Sequence, residues 1–289
     1  MENGQKFYLP SNDYIFKALM TRNAGLLRDF LGSVLPGLMA DFADCTVEHA
    51  DLLGESTDAK IYKLDLVVTT RSGNTINIEM QVCHEAGLEN RMQLYLARSH
   101  SLQLDSGESY SKPHRTYSIW LCKFKLHDDD SYMHDFVLYD PENRLVFPNS
   151  IHLIQLELPK YDKATGSLYN WLKFFAADTE EEVMSMAVEN EKMEQAATFV
   201  HYMNMTPRER ALAEAHARDV YEKKAAYAEG LAEGEARGEA RGEARGEAQG
   251  ILSVALNMLK EKFSFEQISK ATGFSVPEVE RMAAEHSLN

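Results

Sequence analysis

The stretch Ile61-Tyr-Lys-Leu-Asp65-Leu-Val-Val-Thr-Thr-Arg71-Ser-Gly73-Asn-Thr-Ile-Asn-Ile-Glu79-Met-Gln81-Val82 decides how the chain folds. Residues 61–71 and 74–82 each alternate with period two around Ser72-Gly73-Asn74, the pattern of two antiparallel strands joined by a short loop. Alternate residues of a strand share a face, so Lys63, Asp65 and Val67 look one way and Leu64, Leu66 and Val68 the other. In the partner strand Asn77, Glu79 and Gln81 oppose Ile76, Ile78, Met80 and Val82. Each strand therefore has a polar and an apolar face. With Ser72-Gly73-Asn74 as the loop, Arg71 pairs with Thr75, Val67 with Glu79 and Asp65 with Gln81. Asp65 and Glu79 become diagonal neighbours on one face, ~7 Å apart between backbones.

Two carboxylates on adjacent strands beside a polar group suit Mg²⁺, a hard ion that takes oxygen ligands and keeps several waters. Such an ion can stabilise a phosphate in transition and lower the pKa of an attacking water, so the arrangement is competent for phosphodiester hydrolysis. Read without chemistry, the same face is an ordinary solvent-exposed strand face.

Outward from the hairpin, residues 12–35 read as two short helices, one with Tyr14, Phe16, Leu19 and Met20 and the next with Leu26, Leu27, Phe30, Leu31 and Val34 at helical spacing. Pro36-Gly37 ends the second. An amphipathic helix is expected from about Glu85 to Leu104, and strands at 116–126, 135–139 and 152–158, separated by Asp128-Asp129-Asp130 and by Pro141 and Pro148. From Ser167 onward only helices are expected. Thr206-Pro207-Arg208-Glu209 combines a capping threonine, a proline suited to the first helical position and a glutamate that completes the box. Glycine then recurs at Gly230, Gly234, Gly238, Gly242, Gly246 and Gly250, in a Gly-Glu-Ala-Arg unit. Interior glycine costs ~1 kcal/mol relative to alanine, so the repeat is either a flexible spacer or a helix that needs a partner. In a helix the unit would place glycine, glutamate, alanine and arginine in four separate rows, with no glutamate three or four residues from an arginine. Small-residue rows would then favour a homo-oligomer through the C-terminal helices. Two last helices are expected after capping boxes at Ser264–Gln267 and Ser275–Glu278, meeting at Gly273-Phe274 like a helix-turn-helix or a small helical cap.

The fold class is α/β: a mixed sheet flanked by helices, with an all-helical tail. Four regions are expected: a domain over 1–165, a helical extension over 166–229, the repeat over 230–250 and a small helical segment over 251–289.

Composition sets limits on function. The net charge of −15 divides almost evenly between 1–165 and 166–289, which argues against a protein held on nucleic acid by bulk charge, though a local basic face remains compatible with it. The polar N-terminus and the lack of a long apolar run give a cytoplasmic expectation with no membrane partner. The 3 cysteines, Cys45, Cys83 and Cys122, are widely spaced and read as reduced packing residues.

Several blocks carry a family resemblance: Asp65-Leu-Val-Val, Gly73-Asn-Thr-Ile-Asn-Ile-Glu79-Met-Gln81 and Arg91-Met-Gln-Leu-Tyr95-Leu-Ala-Arg98. Asp13-Tyr-Ile-Phe16-Lys17 and Gln103-Leu-x-x-Gly107-x-x-Tyr110 add to them. Over about residues 8–160 the chain resembles the recombination-promoting nuclease/putative transposase family of the PD-(D/E)xK superfamily, and its glycine-punctuated tail is typical of that family. The resemblance implies a restriction-endonuclease-like core, Mg²⁺-dependent DNA endonuclease activity and a link to recombination or mobile elements. Asp65 and Glu79 map onto the metal ligands. Gln81 falls where the wider superfamily has lysine, a departure this branch shares. A carboxamide can orient a water but brings no positive charge, so Gln81→Lys is expected to retain or raise activity.

Accessory roles follow. Asp13 can add a helix carboxylate to the metal or act as a helix N-cap. Lys63, on the face of Asp65, can replace the missing ammonium or be a solvated strand lysine. Arg91, Tyr95 and Arg98 share one side of a helix, so Arg91 and Arg98 can meet DNA phosphates or pair with local acids. Two rival readings belong to other classes: a catalytically inactive relative that binds DNA or protein through the same fold, and an oligomerisation or regulatory module acting through the tail.

Overall fold

The computed structural model describes residues 7–48, 65–111, 113–148, 151–203 and 205–286. Lys63 and the first residues of the expected hairpin lie outside them. The chain divides into two compact units, one up to Lys224 and one from Ala225.

In the first unit, Asn12 caps helix α1 (Asp13–Arg22), its side-chain oxygen accepting from the N–H groups of Tyr14 and Ile15. Helix α2 (Ala24–Val34) follows at once, and both bury the apolar stripe that the spacing predicts. A 3₁₀ segment, Pro36–Asp44, leads to β1 (Thr46–Glu48). The hairpin strands β2 (Leu66–Thr69) and β3 (Thr75–Gln81) come next, then α3 (Leu88–Ser101), β4 (Thr116–Cys122) and β5 (Met133–Phe136). Strands β6 (Tyr139–Asp140) and β7 (Leu145–Val146) form a separate small ribbon, and β8 (Ile151–Glu157) returns to the main sheet.

Among the described residues that sheet has six strands in the order β1-β2-β3-β4-β8-β5, with β3-β4-β8 parallel and the outer pairings antiparallel. Parallel strands need a crossover, and α3 provides the one between β3 and β4. One sheet face carries Leu66, Val68, Ile76, Ile78, Met80, Ile119, Leu121, Ile154 and Leu156 into a core shared with α1 and α2. The core continues past residue 165. Helix α4 (Gly166–Ala176) contributes Trp171, Phe174 and Phe175, and α5 (Glu180–Ser185) and α6 (Glu191–Tyr202) contribute Val183, Met193 and Ala197. On the opposite face α3 lays Leu88 and Met92 over Trp120 and Cys122. A sheet covered on both faces has no solvated side, so Asn77 and Glu79 are buried and not exposed as on a free hairpin. Asn77 meets this by donating to Ser99 Oγ of α3.

The hairpin register differs from the expected one by two residues. Thr69, not Arg71, lies opposite Thr75, and Val67 faces Asn77. The loop is Thr70–Asn74, closed by Thr70 N–H to Asn74 O at 2.9 Å and Gly73 N–H to Thr70 O at 2.9 Å. Asp41 accounts for the longer loop, since its carboxylate accepts from Thr70 Oγ1 (3.2 Å), Asn74 Nδ2 (3.1 Å) and Ser72 Oγ. Gly73 sits at φ +87, in the left-handed region. A shift of two preserves the faces but turns the diagonal relation into a direct one: one step further, Asp65 lies opposite Glu79.

Helix α7 (Pro207–Lys260) starts at the expected box, with Thr206 N–H donating to Glu209 Oε2 at 2.6 Å and Glu209 N–H to Thr206 Oγ1 at 3.3 Å. It runs through the whole glycine repeat. The repeat residues are exposed, and a Cβ at any of Gly230 to Gly250 would meet nothing within 4 Å. One opposite-charge pair, Arg237 to Glu233 at 3.0 Å, forms where the sequence before Gly234 breaks the strict period. In the second unit, α8 (Phe265–Thr272) and α9 (Val276–Glu285) carry both expected capping boxes and join through Gly273 at φ +79. Ala255, Leu259, Ile268, Val279 and Ala283 form its small core.

Candidate active site

Asp65 immediately precedes β2, Glu79 and Gln81 lie in β3, and Asp13 and Lys17 stand one turn apart on α1. These elements bring the hairpin carboxylates and the early Asp13–Lys17 block together. Asp65 N–H donates to Glu79 Oε1 at 3.0 Å, and Met80 N–H donates to Asp65 Oδ2 at 3.0 Å. Lys17 Nζ lies 2.7 Å from Asp13 Oδ1 and 3.0 Å from Asp65 Oδ1, so one ammonium joins helix and hairpin.

Burial pushes the Asp65 carboxyl up to about 6 against the pull of the Lys17 ammonium, and the charge of Asp13 adds to the rise. Burial and then the charge of Asp65 push Glu79 well above the usual carboxylate range. Asp13 moves the other way. Burial opposes its charge, but the Lys17 ammonium, by attraction and by hydrogen bond, holds it below its ordinary value. The two aspartates share one lysine, and the more open Asp13, with a side chain 33% exposed against 15% for Asp65, keeps its charge more readily. Burial would lower the Lys17 ammonium, yet Asp65 and Asp13 raise it.

Gln81 is engaged at both ends: its nitrogen donates to Met80 O at 3.3 Å and its oxygen accepts from the Arg91 guanidinium. Arg91 also meets Glu85 Oε2 at 3.1 Å and lies over the Trp120 ring, 5.6 Å from its centroid. Arg91 is thus turned into the protein, toward Gln81, whereas Arg98 is exposed. Tyr95 also turns inward, its ring 5.8 Å from Trp120. Positive charge therefore reaches the site from α1 and α3. Sequence reasoning singled out Lys63 for that charge and missed Lys17, although its spacing of four from Asp13 was visible.

The start of α7 packs beside the site. Asp13 N–H donates to His216 Nδ1 at 3.2 Å, Asn12 Nδ2 to Ala213 O at 2.9 Å, and Lys223 Nζ lies 2.6 Å from Glu85 Oε1. Helical residues beyond 206 therefore belong to the surroundings of the carboxylates.

Two largely buried carboxylates with raised affinity for protons form an oxygen pair that suits a hard divalent cation. A mixed sheet with this carboxylate pair on its hairpin defines the restriction-endonuclease-like class. The chain matches the family described as PD-(D/E)XK nuclease family transposase over residues 10–230, and it belongs to that family. No curated protein and no solved structure matches it. A family of this kind carries a nuclease- or transposase-related role and implies a DNA substrate. Among the described residues no helix is long and apolar enough to cross a membrane.

Proposed function

We propose that the chain is a Mg²⁺-dependent endodeoxyribonuclease that hydrolyses phosphodiester bonds in recombination or movement of mobile elements. The observation that carries this reading is the pair Asp65 and Glu79, buried side by side with carboxyls pushed upward. Lys17 answers Asp65 but forms no ion pair with Glu79, so a further cation beside the pair would relieve it.

Asp65 and Glu79 would hold the ion, with Asp13 as an accessory carboxylate. When bound, it supplies neutralisation of phosphate charge and a lowered pKa for an attacking water. Gln81 would orient an attacking water, and Arg91 fixes the Gln81 carboxamide by donating to its oxygen. Lys17 holds Asp13 and Asp65 in position and brings the positive charge that a carboxamide at 81 lacks. Arg98, exposed on α3, meets a backbone phosphate. The rows of glycine and alanine in α7 admit close approach of a second helix, so the protein acts as a homo-oligomer through its C-terminal helices in the cytoplasm.

Nicking of supercoiled plasmid with Mg²⁺ against EDTA tests the enzymatic reading. An inactive binder would shift the DNA without cutting it.

A further inference from the structure

A second polar cluster stands at the far end of the register row that carries Glu79. Cross-strand pairing places Glu79 beside Trp120, Trp120 beside Gln155 and Gln155 beside His134. Three inter-strand steps separate Glu79 from His134, roughly 14 Å. There His127, in the turn after β4, His134 of β5 and Glu157 at the end of β8 offer ligand atoms within 4.8 Å of one another.

The hydrogen bonds around these three residues set the tautomers. His127 Nε2 lies 2.7 Å from Gln155 Oε1, and His134 Nε2 lies 2.9 Å from Asp129 Oδ2. Both oxygens accept, so each Nε2 carries a proton, and in the neutral imidazole each Nδ1 then keeps its lone pair. His134 Nδ1 is buried with no hydrogen-bond partner and faces Glu157 Oε1 at 3.7 Å. Glu157 is fully buried; its Oε2 accepts from Leu126 N–H at 2.8 Å, while Oε1 faces His134 Nδ1 and the Lys160 ammonium. An acceptor on the outer nitrogen of each imidazole is the support that metal-binding histidines have.

Lys160 is the competing explanation. Its ammonium lies 3.0 Å from Glu157 Oε1, 2.9 Å from His127 O and 3.5 Å from Asp129 Oδ1, and it neutralises the buried carboxylate. It leaves the lone pair of His134 Nδ1 unanswered, and a buried unpaired acceptor is costly.

We propose that His127, His134 and Glu157 form a binding site for one first-row transition ion of the zinc class, separate from the carboxylate pair on the hairpin. Imidazole nitrogen selects such ions over Mg²⁺, and two imidazoles with one carboxylate are a common three-ligand set for zinc. The ion would pin the turn after β4 to the edge of the sheet. The proposal does not depend on nuclease activity.

The test is calorimetric titration of the full chain, freed of metal, with Zn²⁺ in excess Mg²⁺, followed by Co²⁺ absorption spectroscopy. The wild type is expected to bind one Zn²⁺, and the double variant Asp65→Asn, Glu79→Gln to bind it equally well. His134→Ala and His127→Gln should each weaken binding at least about tenfold and remove the Zn²⁺-dependent rise in Tm. Absence of Zn²⁺ binding in the wild type, unchanged binding in the histidine variants, or loss of binding in the hairpin variant would each overturn the proposal. Should His134→Ala not fold, the Co²⁺ spectrum of the wild type decides. A four-coordinate ligand-field band supports the site, and a purely octahedral spectrum contradicts it.

Discussion

Lys17 Nζ and Asp65 Oδ1 lie 3.0 Å apart, joining the first helix to the hairpin of the sheet. The same ammonium lies 2.7 Å from Asp13, so one cation answers two carboxylates while Glu79 accepts only from the Asp65 backbone among the hydrogen bonds described. Lys17→Met removes that cation without removing the side-chain volume. It should cut cleavage by at least about tenfold and weaken the metal-free protein, because a buried carboxylate stripped of its partner is costly. Parallel nicking assays and thermal melts check both effects, and unchanged activity would take Lys17 out of the site.

Glu79→Gln should separate stability from function. The carboxylate is 3% exposed and pushed toward its neutral form, and a glutamine oxygen can still accept from Asp65 N–H. The metal-free variant near neutral pH should therefore be more stable by about 1 kcal/mol, as when a strained functional group is relieved. Differential scanning calorimetry with and without Mg²⁺ reads it, and the Mg²⁺-dependent rise in Tm should vanish.

Metal binding should follow the upward shift of Asp65. Its folded value of about 6 lies above its ordinary 3.8, so in metal-free protein the folded state holds the proton more tightly. This term favours the fold at low pH and is lost as pH rises from about 4 through 6. Glu79 acts in the same sense, whereas the lowered Asp13 contributes stability above its unfolded pKa that is lost as pH falls. Ligation needs the Asp65 proton gone, so apparent Mg²⁺ affinity should fall about tenfold per pH unit below about 6. Titrations across this range check it; a flat profile would exclude Asp65 as a ligand.

Gln81→Lys should behave differently from what superfamily analogy suggests. The Arg91 guanidinium donates to Gln81 Oε1, and an ammonium there would meet a like charge in a half-buried site. Gln81→Lys alone is expected to lose activity, and Gln81→Lys with Arg91→Gln to recover part of it. Equal activity of the single and double variants would show that the contact is dispensable.

The glycine rows of α7 give opposite signs for two quantities. Replacing Gly234, Gly238, Gly242 and Gly246 by alanine meets no steric obstacle within the chain, and each change should stabilise the helix by about 1 kcal/mol. If those rows pack against a second copy, association should weaken as helicity rises. Circular dichroism and light scattering on the full chain separate the effects, and unaltered association would place the interface elsewhere.

Much of the site is legible in residues 61–82, because a period of two assigns the faces of each strand and a register shift of two leaves them unchanged. Asp65, Glu79 and Gln81 therefore fall on one side by sequence alone. The register itself is not legible there. It depends on Asp41, which reaches from a distant 3₁₀ segment to gather Thr70, Ser72 and Asn74 and lengthens the loop. Burial of the polar face is equally hidden, since it comes from α3 closing over Trp120. The basic side read on α3 comes apart for a similar reason: Arg91 turns in to Gln81 and Trp120, and Arg98 does not. Capping boxes at Ser264, Ser275 and Thr206 are readable because they are local. The repeat resists a reading because glycine propensity and the surrounding helix formers point in opposite directions.

The most direct measurement is cleavage of supercoiled DNA by the purified full chain in Mg²⁺, in EDTA, and by Asp65→Asn in Mg²⁺. The account predicts cutting by the wild type in Mg²⁺ and none in EDTA. It also predicts a loss of at least about a thousandfold in a variant that melts as a folded protein. A wild type that binds DNA without cutting it, or Asp65→Asn that cuts as well as the wild type, would contradict it.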